Sequence, residues 1–201
     1  TEYEVSLPGQ YLRLHAGAEK PLLLLLHGYQ DSASSFLRRL LPDGDPRFEI
    51  LAPNGLFPLP QRSESGWKEA YAWYFADLAA KRVIIHPRVA AEAIARLLKS
   101  LGLEKREKIL CGFSQGGYFL PHLARELEGV ARILSVGAGF RPEDYREFGL
   151  RLPISSVHGD ADEVIPLEQA QKDFSALGSC NVGGDFLVVP GMTHAIDEAG
   201  R

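Results

Sequence analysis

The chain has little sulfur and no long apolar run. Only two cysteines, Cys111 and Cys180, and one methionine occur in 201 residues, too few for a disulfide framework or a thiolate metal cluster. Cys111 lies in an apolar stretch, where a thiol behaves as a small buried hydrophobe. This usage fits a reducing, cytoplasmic setting. The aliphatic run Leu22 to Leu26 is a strand's length, far short of a bilayer-crossing helix. No signal-peptide pattern is visible, although the chain opens on Thr1 rather than Met, which leaves a removed leader open. No block of like charge exists, and a net charge of -4 with both signs dispersed gives no footprint for nucleic acid or an anionic membrane. No repeat of fixed period and no Gly/Ser linker divides the chain. At 45% hydrophobic, residues 1–201 are expected to form one domain around one sizeable core.

What is present alternates strand-like and helix-like segments. Residues 3 to 15 alternate around Pro8-Gly9 and suggest an edge hairpin. The five leucines Leu22 to Leu26 suit a strand covered on both faces. A short helix capped by Asp31 or Ser32 reaches Leu41, and a strand follows from Phe48 to Ala52. Pro87 opens a helix to Leu101 with Val89, Ile94, Leu97, Leu98 and Leu101 on one face. Further strands are read at Ile109–Cys111, 131–136, 154–157 and 185–189, with helices after Ser114 and over 167–177. Pro121 falls inside the first of these, where it should kink the helix or cost up to about 3 kcal/mol. The alternation predicts an α/β fold, a mostly parallel sheet with helices on both faces.

The chemistry centres on Gly112-Phe113-Ser114-Gln115-Gly116-Gly117. A strand runs into a sharp turn with a serine at its apex and a helix behind it. Glycines two residues either side of Ser114 remove side chains that would collide with the neighbouring strand and helix. The helix N-terminus then faces whatever charge develops at the hydroxyl. A serine hydroxyl needs a base, and the base needs a third group to fix its tautomer.

In sheets with such an elbow the acid follows the serine and the histidine comes last. Of the six histidines, His158 and His194 follow the next strands. His158 ends a strand ahead of the acids, which makes His194, in the loop after the last strand, the base. The loop His158-Gly159-Asp160-Ala161-Asp162-Glu163 offers three carboxylates. On spacing alone Asp160 rivals Asp162, whereas Glu163 reads as a solvated charge. The oxyanion donors are expected from the backbone N–H groups of Gln115 and of Tyr29, after His27-Gly28. The aperiodic stretch from Leu56 to Leu78 is rich in rings. Phe57, Trp73 and Tyr74 either pack it down or line a substrate pocket, and Ile165 is a further pocket candidate.

Three segments, His27-Gly28 after an apolar strand, the GFSQGG run, and His158-Gly159-Asp160-Ala161-Asp162 with Val164 and Pro166, resemble the phospholipase/carboxylesterase branch of the α/β-hydrolases. That branch includes acyl-protein thioesterases and small bacterial carboxylesterases. Ala52-Pro53-Asn54 and the Trp73 region are similar to it as well. The resemblance spans residues 20 to 195 and implies an α/β-hydrolase without a separate cap domain. It implies Ser114 as nucleophile, Asp162 rather than Asp160 as acid, and His194 as base. It also places the oxyanion donors at the backbone of Tyr29 and Gln115.

The chain departs from the pattern in three ways. Tyr29-Gln30 replaces a smaller turn, Pro121 interrupts the elbow helix, and seven residues after His194 stand where relatives add a closing helix. An exposed apolar patch or a homodimer contact is therefore expected on that face. The expected activity is hydrolysis of small or medium acyl esters with no metal or cofactor. The alternatives are an acyl thioesterase or lysophospholipase with the same triad, and more remotely a non-catalytic binding protein on this fold.

Overall fold

The computed structural model describes residues 9–15, 17, 19–64, 66–77, 80 and 82–196. Seven strands form the central sheet: β1 (Tyr11–Leu14), β2 (Leu22–Leu26), β3 (Glu49–Pro53), β4 (Lys108–Phe113), β5 (Val130–Val136), β6 (Ile154–Gly159) and β7 (Gly184–Val189). Their spatial order is β1-β3-β2-β4-β5-β6-β7. Every neighbouring pair is parallel except β1 with β3.

Strand β2 shows why the sheet is sandwiched. Leu22, Leu24 and Leu26 point into one core, while Leu23 and Leu25 point into the other. The first core is closed by α2 (Arg88–Ser100) and α3 (Gln115–Glu126), with α4 (Pro142–Phe148) and α5 (Leu167–Ala176) at the same side. Ala90, Ala91, Ile94 and Leu98 of α2 are buried at helical spacing, with Leu97 and Leu101 partly buried beside them; Val89, expected on the same face, is instead 45% exposed. The second core is closed by α1 (Ala33–Leu40), through Ala33, Phe36 and Leu37. Ser32 caps α1, its side chain accepting from the Ser35 N–H at 3.3 Å.

Several expectations change. Residues 1–8 lie outside the described part, so the hairpin around Pro8-Gly9 does too. Tyr11–Leu14 pairs instead with β3, antiparallel. The aromatic stretch is not unstructured. It and the residues after it fold into three short antiparallel pairs: Phe57–Pro58 with Tyr71–Ala72, Gln61–Ser63 with Gly66–Lys68, and Phe75–Asp77 with Arg82–Ile85. Strands of two to four residues are shorter than any window in which alternation can be read. Helix α3 runs on through Pro121, whose ring is buried in the first core side. Helix α4, not anticipated, carries its signals in miniature. Pro142 opens it, Glu143 and Asp144 fill its first turn, and Gly149 closes it with a left-handed φ of 64°.

On the second face, Met192 and Ile196 are buried against Cys111, Phe113 and Val136. Beyond them Ile109, Leu134, Val157 and Val189 are half-buried, and Leu187 is 58% exposed. Among the described residues no helix is long and apolar enough to cross a membrane.

Candidate active site

The carboxyl ends of β2, β4, β6 and β7 bring four loops to one edge of the sheet, where parallel α/β sheets gather their ligands. Ser114 sits between β4 and α3 at φ 50°, ψ -116°. This left-handed setting costs a non-glycine residue about 1–3 kcal/mol and persists only where its surroundings enforce it. The enforcement is visible. The Ser114 N–H donates to Val136 O at 3.0 Å, and Ser114 O accepts from the N–H groups of Gly117 and Tyr118 at 2.9 and 3.1 Å. Both elbow glycines are packed backbone to backbone: a Cβ on Gly112 would run into Gly116, and one on Gly116 into the carbonyls of Leu26 and His27.

His194, in the loop after β7, lies with Nε2 2.9 Å from Ser114 Oγ. Its Nδ1 lies 2.8 Å from Asp162 Oδ2. A carboxylate can only accept, so Nδ1–H donates to Asp162 and the bare Nε2 accepts from the serine hydroxyl. Phe113 supports the imidazole with ring centroids 5.1 Å apart. Asp162 Oδ1 is held in turn by the N–H groups of Val164 and Ile165, at 2.9 and 2.8 Å. Burial pushes the Asp162 carboxyl up, but the Ile165 amide, His194 and the Val164 amide together outweigh it and hold the group below the usual carboxylate range. Asp160 points elsewhere, its Oδ1 accepting from the Gly191 N–H at 2.7 Å. It thus pins the turn that precedes the His194 loop.

A family model described as Phospholipase/Carboxylesterase matches residues 13–200. The chain belongs to that family. Membership makes it a serine hydrolase of the α/β-hydrolase fold. It is similar to esterase PE8 at 25% identity, with a TM-score of 0.69 over 98% of this chain and 94% of that one. The Zea mays acyl-protein thioesterase 2 superposes with a TM-score of 0.65 at 18% identity, over 94% of this chain and 91% of that one. A phospholipase/carboxylesterase from Dyadobacter fermentans does so at 0.62 and 19%, over 98% and 94%. The latter two show the shared fold alone. By sequence, 142 residues are 28% identical to the non-reducing polyketide synthase pkbA of Emericella nidulans. That match takes in 70% of this chain and spans 5% of the length of that relative.

Within this phospholipase/carboxylesterase chain the turn after β2 is built by His27. The ring is fully buried, and the Gly55 N–H donates to its Nε2 at 2.8 Å. Nδ1 therefore carries the proton and donates to Gly28 O at 2.7 Å. A trans peptide points its N–H opposite to its carbonyl, so fixing Gly28 O fixes the direction of the Tyr29 N–H. The turn abuts the elbow, since a Cβ on Gly28 would lie 3.5 Å from Ser114 Cβ. The Gln115 N–H, first in α3, has no partner within its own helix.

Burial lowers the His27 imidazole to about 4, a shift only partly offset by the Gly28 hydrogen bond. The unfolded chain takes up this proton near 6.5 and the fold refuses it. Stability is therefore unaffected by His27 above that pH and falls as pH drops from 6.5 toward 4, by about 1.4 kcal/mol per unit. Urea unfolding at pH 7 and pH 5 should show a loss of about 2 kcal/mol from this group, absent in His27→Gln. Equal slopes for the two proteins would contradict the assignment.

The pocket residues divide. Trp73 is corrected from pocket wall to core. It is 1% exposed, stacks on Phe119 at 5.2 Å, and donates its indole N–H to His27 O at 2.7 Å. A ring so large, with a partner for its N–H, is better packed than exposed. Tyr74 turns to a cavity of about 100 Å³ that it shares with Tyr118, His86 and Arg141, and burial pushes its hydroxyl up to about 12. A polar cleft of about 310 Å³ adjoins it between α2, α3 and α4 and contains no triad member.

Phe57 does approach the site through other rings. It meets Phe75 edge-on at 5.7 Å, and Phe75 meets Tyr29 edge-on at 6.4 Å. Ile165 is half-buried beside Asp162 and serves the acid through its backbone N–H. Two features escaped the sequence reading. Phe75 links the aromatic segment to Tyr29 in the turn after β2. The Gln115 side chain accepts from Trp73 N–H and donates to Tyr74 O, both at 3.0 Å, latching that segment to the elbow. Nothing in the sequence flags the latch beyond the presence of an amide next to Ser114.

Proposed function

We propose that the chain is a serine carboxylic ester hydrolase acting on short and medium acyl esters. Ser114 is the nucleophile, His194 the general base and Asp162 the orienting acid. The observation that carries this is the continuous line Ser114 Oγ, His194 and Asp162, at 2.9 and 2.8 Å, on a nucleophile held at φ 50°.

Ser114 Oγ attacks the acyl carbonyl carbon while its proton passes to His194 Nε2. The carbonyl oxygen becomes an oxyanion, accepted by the N–H groups of Tyr29 and Gln115. Each such donor lowers the barrier by about 3–4 kcal/mol. Collapse of this intermediate expels the alcohol, which leaves with the proton from His194, and Ser114 remains acylated. A water molecule then gives a proton to His194 and attacks the acyl carbon. The carboxylic acid departs as Ser114 regains its proton. Asp162 stays ionised throughout and stabilises the imidazolium.

Chain length is the finer part of the proposal. Tyr29 and Val164, on the loops beside Ser114, His194 and Asp162, are 48% and 66% exposed, a rim rather than a closed acyl chamber. A p-nitrophenyl ester series from acetate to laurate, with matching thioesters and a lysophospholipid, tests it. The expected result is an ester optimum at butyrate to hexanoate, with the Ser114→Ala variant inactive. A preference for thioesters or for the lysophospholipid would assign the same triad to the alternative substrates. A folded protein that cleaves none of them would overturn the reading.

A further inference from the structure

His158 ends β6 and opens the acid loop, and the mechanism above makes no use of it. Its ring is fully buried, packed at 6.2 Å against Phe186 of β7. Nε2 lies 2.8 Å from Ile165 O and 3.5 Å from Asp162 Oδ2. A carbonyl can only accept, so Nε2 carries the proton. Nδ1 is buried with no hydrogen-bond partner among the described residues.

Other polar side chains on this part of the sheet are unpaired among the described residues as well. Ser156 lies two residues before His158 and therefore on the same face. It pairs in register with Ser135 of β5, and both hydroxyls are likewise buried without a partner. An apolar side chain would fill this place without the penalty of an unpaired nitrogen. The engaged nitrogen is the one that faces the acid loop. There Ile165 is gripped from both ends: its C=O accepts from His158, and its N–H donates to Asp162 Oδ1.

We infer that His158 is a positioning residue for the reaction: through its Nε2–H it holds the loop that orients Asp162 and sets its positive edge against the carboxylate oxygen that serves His194. This rests on the reading of Ser114, His194 and Asp162 as the triad. His158 touches neither substrate nor reacting atoms. It acts by keeping Asp162 Oδ2 on His194 Nδ1 and by damping the basicity of that carboxylate. Without the Nε2–H dipole the carboxylate attracts the imidazolium proton more strongly, so His194 is lost as a base at higher pH.

Other charged or titratable groups surround this pair, with Arg141 acting on Tyr118 alongside Asp162 and Asp173. Asp160 and Glu163 are exposed, and Asp160 is engaged by Gly191. Tyr118, whose hydroxyl feels the charges of Asp162 and Asp173, approaches from α3, with Asp173 on α5. Asp185, on β7, is exposed.

The test is the pH profile of kcat/KM for p-nitrophenyl butyrate in wild type, His158→Leu and His158→Gln. Glutamine carries an N–H near the Nε2 position. His158→Leu is expected to lose about 10- to 100-fold in kcat with little change in KM, and its acidic limb should move to higher pH. His158→Gln should recover most of kcat and return the limb. Equal losses in both variants with an unmoved limb would reduce His158 to packing, as would a fully active His158→Leu. Nitrogen-15 NMR of the wild-type histidines provides a check independent of whether the variants fold. It should find neutral His158 as the Nε2–H tautomer, and the Nδ1–H tautomer would overturn the inference. Wild-type protein without esterase activity would instead sink the triad reading, before any variant is compared.

Discussion

Asp162→Asn is expected to lower kcat by about 10⁴-fold with KM nearly unchanged, while Asp160→Asn stays close to wild type. The two aspartates are two residues apart and similar in sequence context, but their partners differ entirely. Asp162 Oδ2 receives the Nδ1–H of His194 at 2.8 Å. An asparagine either offers that nitrogen a second donor or turns its oxygen away from the two loop amides at 2.9 and 2.8 Å. The first arrangement keeps both loop amides paired and favours the tautomer with the proton on Nε2, where His194 can no longer accept from Ser114. Asp160 accepts a single backbone N–H, from Gly191 at 2.7 Å, which an asparagine oxygen can also do. Steady-state kinetics of the two variants on one ester decides it. A large loss in Asp160→Asn with a mild one in Asp162→Asn would reverse the assignment.

Gly116→Ala should cost at least about 4 kcal/mol, or about 8–16 °C in Tm for a domain of this size. Its Cβ would meet the carbonyls of Leu26 and His27, which belong to backbone that cannot swing aside. These carbonyls close β2 and begin the turn that carries Tyr29, so the glycine sets how near the elbow comes to that turn. The variant that still folds should therefore lose kcat as well. Gly178→Ala is the control: nothing lies within 4 Å of its added Cβ, and its backbone is not left-handed. Surface changes of that kind stay within about 0.5 kcal/mol. Thermal unfolding of both variants checks the contrast, and equal Tm values would contradict the packing account.

The sheet and the elbow were legible because the physics behind them is local. Five leucines in a row can be satisfied only between two layers, and a serine between two glycines at a strand end implies a tight turn. The choice of Asp162 over Asp160 was not local. It came from resemblance, and the reason for it appears only when the β6 and β7 loops meet and one carboxylate points at His194. Trp73 was misread because an aromatic residue in a loop looks the same whether it faces substrate or core. Its burial depends on Phe119 and the His27 carbonyl, 46 residues away in each case. The short strand pairs between Phe57 and Ile85 carry too few residues for a period, and the Gln115 latch joins an amide to a backbone that no pattern marks. His158 yields to His194 in the sequence because it precedes the acids, and its hydrogen bond to the Ile165 carbonyl shows only in the folded loop.

The most direct test of the central claim is covalent labelling of the folded protein with a fluorophosphonate, followed by peptide mapping. The account predicts one phosphonylated residue, Ser114, with labelling abolished in Ser114→Ala and strongly slowed in His194→Ala. Labelling at another serine, or a folded wild-type protein that does not react, would contradict it.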